Sequence, residues 1–386
     1  MRTGILVLVL AVGALIAPAA PAAAMAAPAA TDATAVNTSD PPTLITLGTL
    51  GGDVSYPVAV NDRGQVVGVS ETADGEFHAF FWDDGVMIDL APEYFASAAM
   101  DINNKGQVVF QRAPEGGPVE SVLWTPTSTI SLGIVDARFV NEKGQVAGTV
   151  LTIDPATGEP STNPFLWERG VRIDMAPIPG WGTDSRVIDL NDKGVVLGTG
   201  LGPESFEMGF VWSGGAVTPI ETPTPFGGNG VVDINNRGQV LGADFVTGAF
   251  VWESGVTTYL GSVPGHLPPE PAAINEAGWV VGTTRTETGD EMAFLWRDGV
   301  YTFVGPEGTS SRGVDINDRG QVIGTYWRAV GEELEAGAFL WQKGELFDLR
   351  EGIESGVTVV AISEKGHIIG TVGFVSGEIQ AVMWTT

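Results

Sequence analysis

No cysteine occurs among the 386 residues, which excludes disulfide staples and thiolate nucleophiles and leaves a closed hydrophobic architecture to supply stability. Histidine is almost as scarce. His78, His266 and His367 are the only three, and none stands in an H-x-x-H or H-E-x-x-H spacing that would hold zinc. There is no G-x-S-x-G elbow and no phosphate-binding loop, so no motif supports a serine hydrolase or a nucleotide enzyme. Basic residues are few: 19 Lys and Arg stand against 47 Asp and Glu, a formal net charge of −28. That balance repels nucleic acid and anionic lipid, and fits solubility outside a cell or cationic partners. Apolar runs wide enough for a bilayer are also lacking. The run at 5–16 is too short to span, follows the lone Arg2 and precedes A-x-A sites ending at Ala24 and Ala26. Residues 1–26 therefore read as a secretory signal peptide, and 27–42, rich in Ala, Thr, Pro and Asp, as a flexible leader. The expected product is secreted and has no membrane span after processing.

What the chain does have is repetition. A stretch such as GVDINDRGQVIG (313–324), a variable segment and then AGAFLW (336–341) returns eight times. Its marker is Asn at 61, 103, 141, 191, 235, 275 and 317, with Ser363 in the last copy. Three residues on comes Gly64, Gly106, Gly144, Gly194, Gly238, Gly278, Gly320 or Gly366. Each copy closes on Trp82, Trp124, Trp167, Trp212, Trp252, Trp296, Trp341 or Trp384, so eight of the eleven tryptophans serve one repeat position. The markers recur about every 43 residues, a length that suits a four-stranded unit of a propeller.

The residue before each marker is aliphatic and ends a first strand. The next four residues form a tight turn, capped by the Asn side chain and needing φ > 0 at the Gly. A second strand of the QVVG kind and a third of the AFLW kind carry consecutive apolar residues, so both faces are buried and the Trp is a core residue. A second Gly turn leads to a short fourth strand. Copy two departs, with Phe110 where the other copies have Gly, and is expected to be the least regular. Residues 43–47 match the tail of a repeat without its head, while the eighth copy ends without a tail. Splitting one repeat across the two ends is how a ring closes. The expected fold is thus all-β, an eight-bladed β-propeller of four-stranded blades over residues 43–386, closed by the N-terminal strand pairing with the C-terminal blade.

Chemical signals are sparse. D-I-N-D-R-G (315–320) resembles the start of a calcium loop, but its fifth position is basic in seven of eight copies, so no metal site is expected. No cofactor is implied either. Asp101, Asp189, Asp233 and Asp315, two residues before their markers, read as carboxylates holding turn amides or as an acidic ring lining a channel. His78-Ala79-Phe80, the related AF-[LV]-W copies and the IN-x-x-G-Q-V-[VIL]-G element resemble the extracellular HAF-repeat family. That resemblance covers about residue 43 to the end and implies export and repetitive β structure, with no activity to carry onto particular residues. In an up-and-down blade both kinds of tight turn share one end, and the irregular segments share the other. Trp181, Tyr326, Trp327, Phe226 and His266 fall on those irregular segments and are the candidate ligand-binding residues, whereas Trp279, in a second strand, is read as structural. The expected function is a monomeric, secreted, non-enzymatic binding or scaffold protein for a glycan, peptide or envelope component. An extracellular polysaccharide hydrolase or lyase is the alternative, and a quinoprotein-type dehydrogenase a third option.

Overall fold

The computed structural model describes residues 41–153, 158, 160–202, 206–222, 229–244, 246–330, 333–353, 356–373 and 377–386. The described residues are strands, turns and loops, with no helix. After β1 (Thr43–Gly48), the strands β2 (Gly51–Val60), β3 (Val66–Thr72), β4 (Phe77–Asp83) and β5 (Val86–Asp89) form an antiparallel meander in chain order. The same meander recurs in six separate four-stranded sheets, β6–β9 (96–133), β10–β13 (136–174), β14–β17 (185–219), β18–β21 (229–259), β22–β25 (270–303) and β26–β29 (310–348). The last three strands, β30–β32 (357–385), take β1 as their fourth, with Thr43 opposite Thr385, Ile45 opposite Met383 and Gly48 opposite Ala381. A single parallel bridge, Val54 to Ile379, joins this sheet to the first meander.

Core packing follows from one cross-strand pair. Gly of the second strand faces Phe of the third in six copies: Gly68 with Phe80, Gly148 with Phe165, Gly198 with Phe210, Gly242 with Phe250, Gly282 with Phe294 and Gly324 with Phe339. In five of the six the ring lies against the bare glycine, and a Cβ on Gly198 would come within 2.3 Å of Phe210. All six Phe are fully buried, worth about 2–3 kcal/mol apiece in transfer free energy. Copy two is the exchange of the pair rather than a loss of it. Phe110 stands opposite Val122, so the large ring comes from the other strand and is equally buried. That copy also carries a register shift between its third and fourth strands, at Ser121 and Val122, as the last sheet does between Thr46 and Gly48.

The turn after the first strand is built by the marker Asn. Asn61 Oδ1 accepts from Arg63 N and Gln65 N, both at 3.0 Å, and Gly64 N donates to Asn61 O with Gly64 at φ 73°. The Asn side chain does more than cap. Its Nδ2 donates to the marker carbonyl of the following copy, from Asn61 to Asn103 O at 3.0 Å and onward through Asn317 to Ser363 O at 3.0 Å. A second ladder runs beside it: Asp62 N donates to Asn104 Oδ1, Asn104 N to Glu142 Oε1, and so on to Asp318 N and Glu364 Oε2, at 2.6–2.8 Å. Past the last copy, Lys365 N donates to Asp62 Oδ1 at 3.2 Å. The turns of all eight copies are thereby linked edge to edge. In six copies the second turn is a two-residue I′ hairpin, as at Asp84 (φ 46°) and Gly85 (φ 86°), the type that matches the strand twist; copy two turns through Pro126 and Thr127 instead.

Candidate functional site

At the turn end, the first strands carry four of the conspicuous carboxylates. Each bridges two sheets. Asp101 accepts from its own neighbour Ile102 N (2.7 Å) and from Val140 N of the next copy (2.8 Å); Asp315 does the same with Ile316 N (2.8 Å) and Ile362 N (3.0 Å). Asp189 holds Leu190 N and Ile234 N, and Asp233 holds Ile274 N. Burial, only partly offset by these amides, pushes Asp101 up to about 6 and Asp315 up to about 7. Asp189 and Asp233 are hydrogen-bonded to each other, and burial raises both, Asp189 furthest because it also feels the charge of Asp233. Of the two expected roles, holding amides is the one seen, with strand amides rather than turn amides as the groups held.

Uniformity ends at the opposite, loop end, where the chain spends six arginines: Arg112, Arg186, Arg285, Arg312, Arg328 and Arg350. Arg112 grips Glu120 through Nε and Nη2, both at 2.9 Å, and lies 4.4 Å from the centroid of Tyr94. Glu335 Oε2 receives Arg328 Nη2 at 3.0 Å and Arg350 Nη1 at 2.9 Å. Glu291 is the most enclosed of these acids, 7% exposed. It takes Arg285 Nη2 at 2.6 Å and Arg312 Nη2 at 2.8 Å, with Arg312 Nε on its other oxygen, and Arg312 lies 5.3 Å from the Trp327 centroid. Burial alone would raise the Glu291 carboxyl, but the two guanidinium hydrogen bonds outweigh it and hold the group below its usual value.

No protein-family model and no curated protein matches the sequence. Solved structures do show likeness in shape. The β-propeller domain of the Trilobed protease from Pyrococcus furiosus aligns at TM-score 0.48 and 10% identity over 76% of this chain and 93% of that one. The oligogalacturonate lyase from Vibrio parahaemolyticus aligns at 0.49 and 10%, over 89% and 93%. The acylaminoacyl peptidase of Pyrococcus horikoshii aligns at 0.48 and 11% over 83% of this chain, which spans only 58% of that longer protein. β-Propellers are therefore among the structures it is similar to, and nothing about activity follows.

The structure scatters the five candidate aromatics. Trp327 lies at the arginine cluster, but in β27 (Val322–Val330), because the irregular segment at 325–336 continues the strands into a long hairpin with β28 (Glu333–Gln342). Its neighbour Tyr326 is a correction: only 2% exposed, it covers Gly337 and donates to Asp348 Oδ2 at 2.8 Å. Alternation along a strand sends adjacent side chains to opposite faces, so both could not be presented together. Trp181 is half-buried, edge-on to Phe210 at 5.9 Å, and anchors its loop. His266 is half-buried and stacked on Phe303 at 5.4 Å. Phe226 lies outside the described residues. Trp279 is structural as expected, its ring 2.6 Å from where a Cβ on Gly320 would be. Glu291 and Arg312 had no local signal in the sequence, being 21 residues apart. Alignment of the copies does provide one: five residues before the repeat Trp, only Glu207 and Glu291 are acidic. Among the described residues no group of His, Asp and Glu is arranged to hold a metal ion, and no helix is long and apolar enough to cross a membrane.

Proposed function

We propose that the chain is a secreted, non-enzymatic binding protein, an eight-bladed closed propeller that presents its loop end to a glycan or protein ligand. The reading rests on one contrast. At the turn end the copies share one scheme, with Asn at the marker in seven of the eight and a side-chain-to-amide ladder running from copy to copy, as a scaffold requires. At the loop end the copies diverge, and the divergence is spent on Arg, Trp, Tyr and buried Glu. Closure is supported by the Lys365 N to Asp62 bond and by β1 supplying the fourth strand of the last sheet. Export is supported by the leader at 1–26, and the repeat signature keeps its similarity to HAF-repeat proteins. The test is to screen the mature protein on glycan and peptide arrays. A ligand whose binding is lost in Trp327→Ala but kept in Arg237→Ala, on the turn end, supports the reading. Binding lost only in the turn-end variant refutes it. The buried carboxyl pair Asp189–Asp233, both raised by burial, is the feature that favours a polysaccharide-cleaving enzyme, and release of reducing sugar or unsaturated product that Asp189→Asn abolishes would establish that instead.

A further inference from the structure

The Arg285–Glu291–Arg312–Trp327 cluster is not a requirement of the repeat. In six of eight copies the residue equivalent to Glu291 is uncharged: Phe77, Val119, Thr162, Thr247, Ala336 and Ile379. Those copies fold into the same meander without a carboxylate there. A buried carboxylate with two cations is also a costly way to join two sheets, since apolar side chains of similar volume do so at no desolvation penalty. What the cluster achieves is orientation. One enclosed carboxylate fixes two guanidinium groups from neighbouring copies, each still 40% and 44% exposed, and Trp327 lies against the face of Arg312. Glu291 occupies Nε and Nη2 of Arg312 and Nη2 of Arg285, so the Nη1 side of each fork remains for another acceptor.

We infer that this cluster is a binding site for an oxyanion-bearing sugar, a short oligosaccharide whose carboxylate or sulfate is held by the free edges of Arg285 and Arg312 while its ring lies against Trp327. The inference deepens the binding-protein reading above and rests on it. Planar guanidinium groups fixed side by side take a carboxylate or sulfate through paired hydrogen bonds, which a lysine cannot do. An indole beside the forks suits the flat apolar face of a pyranose better than the flexible arm of an acidic peptide side chain. Global charge sets the length. With −28 on the chain and Glu270 adding its charge near Arg312, a long polyanion is repelled, but beyond about 8 Å this repulsion is screened at physiological salt. A short acidic oligomer therefore meets mainly the local donors.

Calorimetric titration of the mature protein with trigalacturonate, with its fully methyl-esterified form and with a sulfated heparin-type disaccharide tests this. Wild-type protein should bind at least one acidic probe at least tenfold more tightly than the ester, the two acidic arms deciding between carboxylate and sulfate. Arg285→Lys and Arg312→Lys should each weaken that binding tenfold or more, with Trp327→Phe weakening it less. Arg285→Lys leaves the Arg312–Glu291 pair intact, so it reports even if Arg312→Lys folds poorly. Arg328→Lys, on the opposite face of its sheet, should change nothing. Equal binding of acid and ester, lysine variants that bind like wild type, an acidic peptide binding equally well, or no binding of any probe would each overturn the site. An array ligand whose binding ignores both arginines leaves the binding-protein reading standing while this site falls.

Discussion

Raising the pH should weaken this protein across a range where most carboxylates have already ionised. The cause is the four Asp that tie one first strand to the next. Asp315 is raised from 3.8 to about 7 and Asp101 from 3.8 to about 6, both chiefly by burial, and Asp189 and Asp233 move the same way. For an acid with a raised folded value, the folded state holds more protons than the unfolded one between the two values. Its stabilisation is complete below about pH 4 and is lost as pH rises through the folded value. At ~1.4 kcal/mol per pH unit the two printed gaps correspond to about 4 and about 3 kcal/mol. Residual solvent contact screens both groups, which brings their joint effect to roughly 3–4 kcal/mol. Glu364, raised to about 6, acts in the same direction. His367 opposes them: burial lowers it, so its neutral form favours folding above about pH 6.5. The lowered acids Glu120, Glu291 and Glu335 act only below about pH 4.5, outside the window. Urea unfolding at pH 5.5 and pH 8 at constant ionic strength measures the difference. Wild type should be more stable at pH 5.5 by about 2–3 kcal/mol, and Asp315→Asn should remove roughly half of that slope. A flat profile, maximal stability at pH 8, or an unchanged slope in the Asn variant would refute the reasoning.

Three further outcomes follow from the packing. Deleting residues up to 42 should leave the melting temperature nearly unchanged, whereas deleting through Gly48 strips β32 (Ile379–Thr385) of its partner and should cost several kcal/mol; equal melting would count against closure. Ser363→Asn should supply the amide donor to Asn61 O that the eighth copy lacks, and raise stability by about 1 kcal/mol in denaturant titration. Phe110→Gly alone should cost about 3–5 kcal/mol as a large-to-small core change, and Phe110→Gly with Val122→Phe should recover most of it. Additive losses in that double variant would mean that the Gly–Phe pair is not the packing unit.

Much of the scaffold was legible because it repeats. Eight aligned copies turn a weak strand pattern into a strong one, and the orphan strand at 43–47 had one vacant place to fill. The Asn could be read as a turn cap because that role depends on residues two and four positions on. Its second bond, to the next copy, was not legible, since spacing along the chain does not say which copy lies alongside. The irregular segments misled for a physical reason. An insert with no counterpart in other copies looks like a loop, yet 325–336 contains alternating residues that extend two strands, and alternation puts Tyr326 inward and Trp327 toward Arg312. Copy two looked defective because one residue was compared at a time; the pair Phe110 and Val122 conserves the ring and moves it to the other strand.

The two ends of the sheets use the same chemistry in opposite ways. At the turn end Asp101, Asp189, Asp233 and Asp315 accept from backbone N–H groups of the next copy, so their charge is consumed in joining copies, and nearby cations cap carbonyls, as Lys143 Nζ does at Lys193 O (3.1 Å). Little is left over for a ligand there. At the loop end Glu120, Glu291 and Glu335 accept from arginine side chains instead, and a guanidinium with five donors cannot be exhausted by one carboxylate. Glu291 with Arg285 and Arg312 therefore leaves donors facing outward, while Asp101 with Ile102 and Val140 leaves none of its amides free. The difference between the two ends lies in whether the donor these carboxylates hold has hydrogen-bonding capacity to spare.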